Sequence, residues 1–313
     1  MATAKLRASD LAQAVSQVNP NWSQHANLVI GESRVIIGAS SHEAAAENAV
    51  PAETSSEGGG CAIEIKPLDF FVKKLQGDVR IELLPGKRLS IKDSRFRVDL
   101  RTLPKDELMI GFPEEHVLEI PADDFAKTLR LGASAASRQA VHGQISYAAT
   151  ILKIEPGLFC AASYSYGRAA LYSHQIDHEA TQTVFISVTH VDHLVAWAKG
   201  RKTVKLFISP QTIGISDGDS WTAVRTLAMA DGSDSWIANV AEMPPPVFTV
   251  EMAPQALSRG VKSVALLSDK YGAVDLLMEN GKLTAIGSNE VGEAEVEVDA
   301  KVPPETSLLI RFQ

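Results

Sequence analysis

The sequence is poor in several features that would assign it to a class of protein at once. It has only two cysteines, Cys61 and Cys160, among 313 residues, so we expect reduced thiols rather than a disulfide framework. No apolar run approaches the ~20 residues that cross a bilayer. The start, MATAKLRASDL, lacks the apolar core of a signal peptide. These absences together predict a cytoplasmic protein.

Positive charge is also scarce. With 30 Lys and Arg against 38 Asp and Glu, the formal net charge is −8. This excludes a protein that coats nucleic acid through overall basic charge. It leaves open a protein whose positive charge is gathered on one surface, because the local field steers a polyanion. A length of 313 residues leaves room for two to three domains of ~100–150 residues.

What the sequence does contain is an internal repeat. The segments LRASDLAQAV from Leu6, IPADDFAKTL from Ile120 and MAPQALSRGV from Met252 carry apolar residues at the same offsets, 0, 5 and 9. The starts are 114 and 132 positions apart, which is far longer than the ~20–50 residues of a solenoid rung. We therefore predict three related domains, the third corresponding to the first half of a unit only: residues 1–115, 116–246 and 247–313.

The first two copies agree over a second helix as well. IKPLDFFVKKL from Ile65 matches VTHVDHLVAWA from Val188, and VRIELLP matches VKLFISP soon afterwards. The tripeptide RTL then occurs at Arg101 and again at Arg225. Because these matches keep their order and nearly their spacing, we interpret them as one duplicated domain.

Each copy alternates a helix with hairpins rather than with single strands. Pro85-Gly86 and Pro156-Gly157 supply hairpin turns, and a helix is expected from about Ala122 to Ala133. The polar, Ala-rich stretch Ser40–Gly60 lacks periodicity and is expected to be a loop. This pattern predicts an α+β fold of antiparallel sheets with all helices on one face.

Basic residues recur on or beside the expected helices, whereas the excess acid lies elsewhere. One interpretation is that Lys and Arg favour helix ends. The other is a phosphate-binding surface that reads no sequence. We call these residues the basic set: Lys5, Arg7, Lys73, Lys74, Lys127, Arg130, Arg138, Lys199, Arg201, Lys202, Arg259 and Lys262.

Four segments carry a resemblance to a known family. They are RFRVDLRTLPKDEL (Arg95–Leu108), IPADDFAKTL, VFISVTHVDHLVAWA and, above all, ALLSDKYGAVDLLMENGKLTAIGSNEVGEAEVEVD (Ala265–Asp299). Over nearly its whole length, at low identity, the chain resembles the bacterial DNA polymerase III beta subunit, the sliding clamp. The resemblance implies repeated DNA-clamp domains whose sheets lie outside and whose helices line a central channel.

The resemblance also implies a function and its partners. The chain would be a processivity factor that encircles double-stranded DNA, with the basic set facing the DNA and a homodimeric ring as the assembled form. It would tether a DNA polymerase and meet a clamp loader through short peptide motifs, in the cytoplasm of a bacterial or phage-infected cell. No catalysis, cofactor, metal or membrane is implied.

In the family the ring closes head to tail, so the resemblance implies a subunit interface between the first and third domains. Charged residues would fix the register: Arg95, Arg97 and Arg101 on one side, and Glu293, Glu295 and Glu297 on the other. Leucines would supply the apolar part: Leu108, Leu266 and Leu267.

A peptide groove is implied on the second domain. By alignment, its residues are Tyr147, Tyr164, Arg168, Ala169 and Pro244. The family has Thr-Asp-Gly-His-Arg-Leu where this chain has Tyr164-Ser165-Tyr166-Gly167-Arg168-Ala169, so only Arg168 stays in register. The groove is therefore expected to be filled by tyrosine rings or to accept a different motif.

Enzyme motifs are weak. Gly214-Ile215-Ser216-Asp217-Gly218 fits G-x-S-x-G, but a strand rather than a helix should follow it, which predicts a hairpin turn. His174, His178, His190 and His193 have no third metal ligand at a regular spacing. Two alternatives to the clamp remain: a clamp-fold scaffold that binds peptides without encircling DNA, and a small-molecule enzyme of repeated α+β domains.

Overall fold

The computed structural model describes most of the chain and divides it into two compact units, Met1–Ala241 and Glu242–Gln313. The described residues are 2–18, 23–55, 58–105, 107–138, 148–165, 168–179, 181–229, 234–237, 249–268 and 272–312. None of the helices in these ranges has both the length and the apolar composition of a membrane span.

The first repeat runs strand, helix, hairpin strands, helix and strands. Its elements are β1 (Thr3–Arg7), α1 (Ala8–Gln17), β2 (His25–Ile30), β3 (Arg34–Ser40), β4 (Ala44–Pro51), β5 (Glu53–Thr54), β6 (Gly59–Glu64), α2 (Ile65–Val72), β7 (Asp78–Leu84), β8 (Arg88–Lys92) and β9 (Arg97–Arg101). Leu11 and Val15 are fully buried on one side of α1, and Asp10 lies in its first turn, where the helix dipole favours an acid.

The second repeat has the same order of elements. They are β10 (His116–Pro121), α3 (Ala122–Gly132), β11 (Ala149–Glu155), β12 (Leu158–Ser165), β13 (Arg168–Gln175), β14 (Gln182–Ser187), α4 (Val188–Ala198), β15 (Thr203–Ile208), β16 (Thr212–Ser216) and β17 (Trp221–Arg225). A Cβ at Gly132 would lie 2.3 Å from the carbonyl oxygen of Ala161. The close approach of α3 to β12 therefore requires glycine there.

The second unit repeats the first half of this pattern. Its elements are β18 (Glu251–Met252), α5 (Pro254–Val264), β19 (Val274–Glu279), β20 (Lys282–Asn289), β21 (Gly292–Val298), β22 (Ala300–Lys301) and β23 (Leu308–Phe312). Val264 on α5 packs into a small core with Leu283, Ala285 and Val298. Strand β23 pairs with β19 as β6 pairs with β2 and β14 with β11.

All strand pairs in these elements are antiparallel, which confirms the predicted α+β class. The first unit holds three sheets, of orders β5-β1-β7-β8-β9, β10-β15-β16-β17-β4-β3-β2-β6 and β13-β12-β11-β14; the second unit holds β18-β22 and β21-β20-β19-β23. The eight-stranded sheet contains strands of both repeats, joined where β17 pairs with β4. This shared ladder is why the first two repeats form one unit.

The prediction of a loop over Ser40–Gly60 is wrong, because β4, β5 and the start of β6 lie there. Ala44, Ala45 and Ala46 are fully or almost fully buried. Ala45 packs against Ile110 of the segment that links the two repeats, whereas Ala44 belongs to the core of the second repeat. A strand of small residues buries little apolar surface of its own, so it carries no periodic pattern of bulky side chains.

Four helices of the first unit form a connected layer. Helix α1 packs against α2, and α3 packs against α4. Asn48 of β4 joins the two pairs, because its amide nitrogen donates to the carbonyl oxygen of Ala14 on α1 at 3.3 Å and its oxygen accepts from Trp197 Nε1 on α4 at 3.1 Å. Helices α1 and α4 therefore contact the same face of β4.

Candidate functional site

Helix α2 presents a basic face with an aromatic ring in it. Lys66 and Phe70 are exposed positions of α2, and the exposed Lys73 and Lys74 directly follow its last residue, Val72. Lys74 Nζ lies 4.0 Å above the centre of the Phe70 ring, and Lys73 Nζ pairs with Asp69 Oδ2 at 2.6 Å. Lys66, the second residue of α2, was not included in the basic set.

Helix α3 presents Lys127 and Arg130 on its exposed side. Lys127 Nζ lies 5.4 Å above the Tyr172 ring, and the hydrogen bond that this lysine donates to the tyrosine raises its pKa above the ordinary value. Arg138 follows the helix and forms an ion pair with Asp192 of α4 at 2.7 Å. These contacts hold the three cations over the α3–α4 pair.

The basic residues assigned to helix α1 lie before it rather than on it. Its exposed positions include Ser9, Asp10 and Gln13, and none of its residues is basic. Lys5 and Arg7 lie on β1 rather than on a helix, and Lys5 Nζ pairs with Asp78 Oδ2 at 3.1 Å. The first helix therefore brings no cation of its own to the surface of the helix layer.

Arg201 was placed in the basic set, and the structure corrects this. Its side chain is only 11% exposed and its Nε donates to Asp217 Oδ2 at 2.7 Å. The guanidinium lies 3.4 Å above the Trp197 ring and donates to Gln17 Oε1 of α1 at 3.2 Å. These contacts fix it as a buried link between the repeats, so we leave it out of the basic set.

The remaining members of the basic set are exposed. Lys199 and Lys202 flank the end of α4, and Arg259 and Lys262 lie on the outer side of α5 in the second unit. Gly200, at φ +82°, turns the chain out of α4. The sequence signal for these four residues was their position on or directly after an expected helix.

The charged residues assigned to a subunit interface lie on two edge strands. Arg97 and Arg101 belong to β9, at the edge of the five-stranded sheet, and Arg95 just precedes it. Edge strand β21 of the second unit presents one exposed row: Glu293, Glu295 and Glu297. Within the described residues, each of these edge strands has backbone groups on one side that pair with no other strand. The row on β9 is positively charged and the row on β21 is negatively charged.

The leucines assigned to the same interface differ in exposure. Leu266 is 92% exposed on a 3-10 turn after α5, and Leu267 beside it is half-buried. Leu108 is half-buried beside a cavity of about 480 Å³. The amide of the next residue, Met109, donates to Ser40 Oγ at 2.8 Å and fixes this segment to the end of β3.

The groove residues that the structure describes cluster around a tryptophan. Tyr164 of β12 pairs with Ala169 of β13 across the hairpin, and Arg168 opens β13 with an exposed side chain. The Tyr164 and Trp236 rings are 5.1 Å apart, and Trp236 belongs to a small apolar cluster with Ile237. Tyr147 and Pro244 lie outside the described residues. Trp236 was missed because no repeated pattern marks it.

The residues of the possible enzyme motifs make contacts that stabilise the fold. Ser216 Oγ donates to the carbonyl oxygen of Ser220 at 2.8 Å inside the β16–β17 hairpin, which confirms the hairpin turn. Among the described residues no three His, Cys, Asp or Glu side chains come together to hold a metal. Burial raises the pKa of the Cys61 thiol to about 11, so this thiol is protonated at neutral pH.

Two histidines lie where the repeats join. His193 Nε2 is 2.7 Å from Thr222 Oγ1, whose hydroxyl donates to the carbonyl oxygen of Ala45 at 2.9 Å, so the histidine is the donor to Thr222. Burial, and then the charge of His190, lower the pKa of His193 to about 3. Burial also lowers the pKa of His190, although Glu43 opposes this. Both rings are therefore neutral at physiological pH.

Fold comparison identifies the class of structure. No family model matches the sequence, and no curated protein matches it. Solved structures match over nearly the whole chain, and bacterial sliding clamps are among them. The chain therefore has the sliding-clamp fold of repeated α+β domains.

Three solved structures give the measure of this similarity. The sliding clamp of Pseudomonas aeruginosa bound to griselimycin superposes with a TM-score of 0.85 at 18% identity, covering 99% of this chain and 87% of the clamp. The same organism's clamp with a ligand gives 0.83 at 19%, covering 100% and 87%. The DNA polymerase III beta subunit of Thermotoga maritima gives 0.82 at 17%, covering 100% and 87%. At identities this low, the similarity establishes the fold alone.

Proposed function

We propose that this chain is a non-catalytic DNA sliding clamp, a processivity factor that holds a DNA polymerase on duplex DNA by encircling it. The observation that carries the proposal is the match of at least 99% of the chain to sliding clamps in fold. The exposed members of the basic set support it, because they lie on or beside the helices while the net charge of the chain is −8.

The mechanism is topological. A closed ring does not leave DNA sideways, so contacts to phosphates need only be weak and mobile, and tight binding would slow sliding. Lys and Arg on helix surfaces neutralise phosphates without reading bases. Opening would need an ATP-driven loader, and a DNA polymerase and this loader would bind through short peptides at the groove around Tyr164, Arg168 and Ala169. The site of action would be the cytoplasm.

The joint inside the first unit supplies a template for ring closure between two copies. Strand β17 pairs with β4, placing Trp221 opposite Glu47 and Thr222 opposite Ala46. By the repeat, β9 corresponds to β17 and β21 to β4. We therefore propose that β9 of one copy pairs with β21 of a second copy, extending the sheet across a head-to-tail interface.

The repeat offsets give the register of this proposed pairing. Arg97 lies 124 positions before Trp221, and Glu295 lies 248 positions after Glu47. The template then sets Arg97 opposite Glu295 and Arg95 opposite Glu297, with Arg101 diagonal to Glu293. Opposite charges at the first two positions favour this register, while Asp99, which accepts a hydrogen bond from Arg97 at 3.1 Å, falls opposite Glu293.

A cross-link tests ring closure and DNA encirclement together. In the proposed register Val98 is opposite Ala294, a pair whose Cα atoms would lie ~4.5 Å apart, within disulfide range. The double variant Val98→Cys, Ala294→Cys is mixed with circular plasmid, oxidised, and washed in ~1 M salt, at which open-surface contacts are screened. We expect retention on the circle and release when a restriction enzyme cuts it.

Two controls make this experiment decisive. Oxidation in the presence of linear DNA should give the cross-link without retention in salt. The variant Val98→Cys, Val296→Cys is two residues out of register on the same face, so it should cross-link poorly. A well cross-linked protein that is not retained on circles, or is retained equally on linear DNA, would refute the clamp.

A further inference from the structure

The outer edge of the first strand is covered in two of the three repeats. In the first repeat, β5 pairs with β1, with Lys5 opposite Glu53. In the third, β22 pairs with β18, with Glu251 opposite Lys301 and their side chains 3.2 Å apart. In both places the chain returns after its third hairpin strand and adds a short strand with a charge pair across the ladder.

The second repeat has no such cover among the described residues. Strand β10 corresponds to β1 and β18, and it stands at the end of the eight-stranded sheet with β15 on its other side. Glu119 of β10 occupies the position of Lys5 and of Glu251, by the same offsets that align Ile120 with Leu6 and Met252.

The hydrogen-bond pattern shows which backbone groups of β10 face outward. The amide of Ala122 donates to the carbonyl of Lys202. Because every second residue of a strand turns its backbone groups to the same neighbour, Ile120 and Leu118 also face β15. The backbone groups of Glu119 therefore face the open edge, and the register shift between His116 and Leu118 ends this alternation at Val117. In the first repeat the counterpart of Glu119, Lys5, is covered by Glu53, and the amide of Ser55 donates to the carbonyl of Thr3 at 2.9 Å.

The segment that would cover β10 is held elsewhere. The amide of Ile176 donates to the carbonyl of Gly157 at 3.0 Å, and the amide of Gly157 donates to the carbonyl of His178 at 2.9 Å. These bonds tie residues 176–178 to the β11–β12 turn. A groove of about 510 Å³ remains, lined by residues 117–121 of β10 and residues 174–178.

The charges around this groove favour a basic ligand. Glu119, Asp177 and Glu179 are exposed at the β10 edge and on the facing segment. His174 lies 3.6 Å from Asp124, and His178 Nε2 is a buried ring nitrogen without a hydrogen-bond partner. Lys205 of β15 is the residue paired with Glu119 across the β10–β15 ladder, on the side of β10 away from its open edge.

We propose that the outer edge of β10 is a binding site for an extended peptide, which adds as a strand and places a Lys or Arg opposite Glu119. Backbone hydrogen bonds to Glu119 supply the binding, and the charge pair selects the sequence and register. The third repeat already contains such a pairing, in which Glu251 faces Lys301. Pro121 fits the arrangement because its missing N–H falls on the outward side.

The test uses a peptide from the chain itself as probe. A capped heptapeptide with the sequence of residues 298–304, VDAKVPP, contains the strand that covers β18. Titrated into the intact protein, it should shift the backbone NMR signals of residues 117–121 and slow hydrogen exchange at the Glu119 amide. No shift at β10, or shifts at Glu251 and Met252 alone, would overturn the proposal.

Two variants separate the strand from the charge. Glu119→Pro removes an outward N–H without touching the bonds to β15, and it should weaken probe binding at least ~tenfold, since the ladder loses a donor. Glu119→Lys keeps the backbone and reverses the charge. It should reject VDAKVPP and accept VDAEVPP instead, and equal binding of both probes to both proteins would refute the site.

Discussion

The Trp221 indole N–H donates a hydrogen bond to Glu47 Oε2 at 3.1 Å, across the ladder that joins the two repeats of the first unit. Trp221 opens β17 and Glu47 lies within β4, a strand of the other repeat. In the proposed contact between two copies, Arg97 and Glu295 would take these positions. The β17–β4 ladder within one chain thus has a hydrogen-bonded side-chain pair at the position where the proposed β9–β21 ladder between two copies has an ion pair.

Charge reversal at that pair should control assembly. Arg97→Glu or Glu295→Arg sets like charges opposite one another, so each single variant should weaken self-association about tenfold, or about 1.4 kcal/mol. The double variant restores opposite charges and should recover most of the loss. Sedimentation equilibrium over a concentration series measures each dissociation constant.

The matched control for assembly is Glu305→Arg, an exposed reversal in the second unit away from β21. It changes the net charge of the chain by the same amount and should leave the dissociation constant unchanged. If the double variant associates no better than either single variant, the proposed register is incorrect.

Removing the buried arginine should destabilise the first unit. Arg201→Ala leaves Asp217 without its partner and uncovers the Trp197 ring, so we expect a loss of roughly 3 kcal/mol in unfolding free energy. Arg201→Lys should recover only part, since an ammonium lacks the planar fork. Urea unfolding measures both. The neighbouring exposed Lys202→Ala should stay within ~0.5 kcal/mol of the parent, and an equal loss there would contradict the assigned role of Arg201.

Stability should fall as the solution becomes mildly acidic. The pKa of His193 is lowered from 6.5 to about 3 in the folded protein, so below about pH 6.5 the unfolded chain binds a proton that the folded chain does not. The contribution of His193 is therefore complete above pH 6.5 and decreases as the pH falls towards 3. Between pH 7.5 and 5.5 it should amount to roughly 1.3 kcal/mol. Urea unfolding at the two pH values measures the difference.

The variant His193→Gln separates this histidine from the other titrating groups. Its amide still donates to Thr222 but carries no proton that titrates, so most of the pH-dependent loss should disappear. His190, whose pKa is also lowered, retains a share of its own. An unchanged loss in the variant would show that His193 is not the group responsible.

DNA retention should depend on the cations of α3. Lys127→Glu and Arg130→Glu together place acid on an exposed helix face, and should lower affinity for duplex DNA and reduce the salt slope by about 2, since each cation neutralises about one phosphate. Fluorescence anisotropy at four salt concentrations measures the slope. Lys105→Glu changes an exposed lysine outside any helix and serves as the control. If it lowers the affinity and the salt slope as much as the α3 variant does, the cations of α3 are not the DNA-binding residues.

The order of elements in the first two repeats was readable from the sequence because bulky residues recur at fixed offsets. Phe125 and Leu129 of α3, like Leu11 and Val15 of α1, are fully buried where the pattern places them. Strand β4 was not readable, since alanines such as Ala44 and Ala45 are buried by contacts with the second repeat and with the segment that links the repeats, both distant in sequence.

The candidate site was readable only in part. Position at a helix end predicts exposed cations such as Lys199, but it predicts the same for Arg201. No feature of the neighbouring sequence distinguishes the two residues. Arg201 is buried because Trp197 and Asp217 lie beside it, and Asp217 reaches it through the β16–β17 turn. Trp236 gains its role from contact with Tyr164, a relationship that sequence spacing does not encode.

The ladder between β17 and β4 has a mechanical consequence. Any hinge motion between the first two repeats would have to break its backbone hydrogen bonds and detach the indole of Trp221 from Glu47 at the same time. The two repeats should therefore move together as one rigid body. A force applied by a partner protein should then separate the proposed strand contact between two copies before it bends the paired repeats.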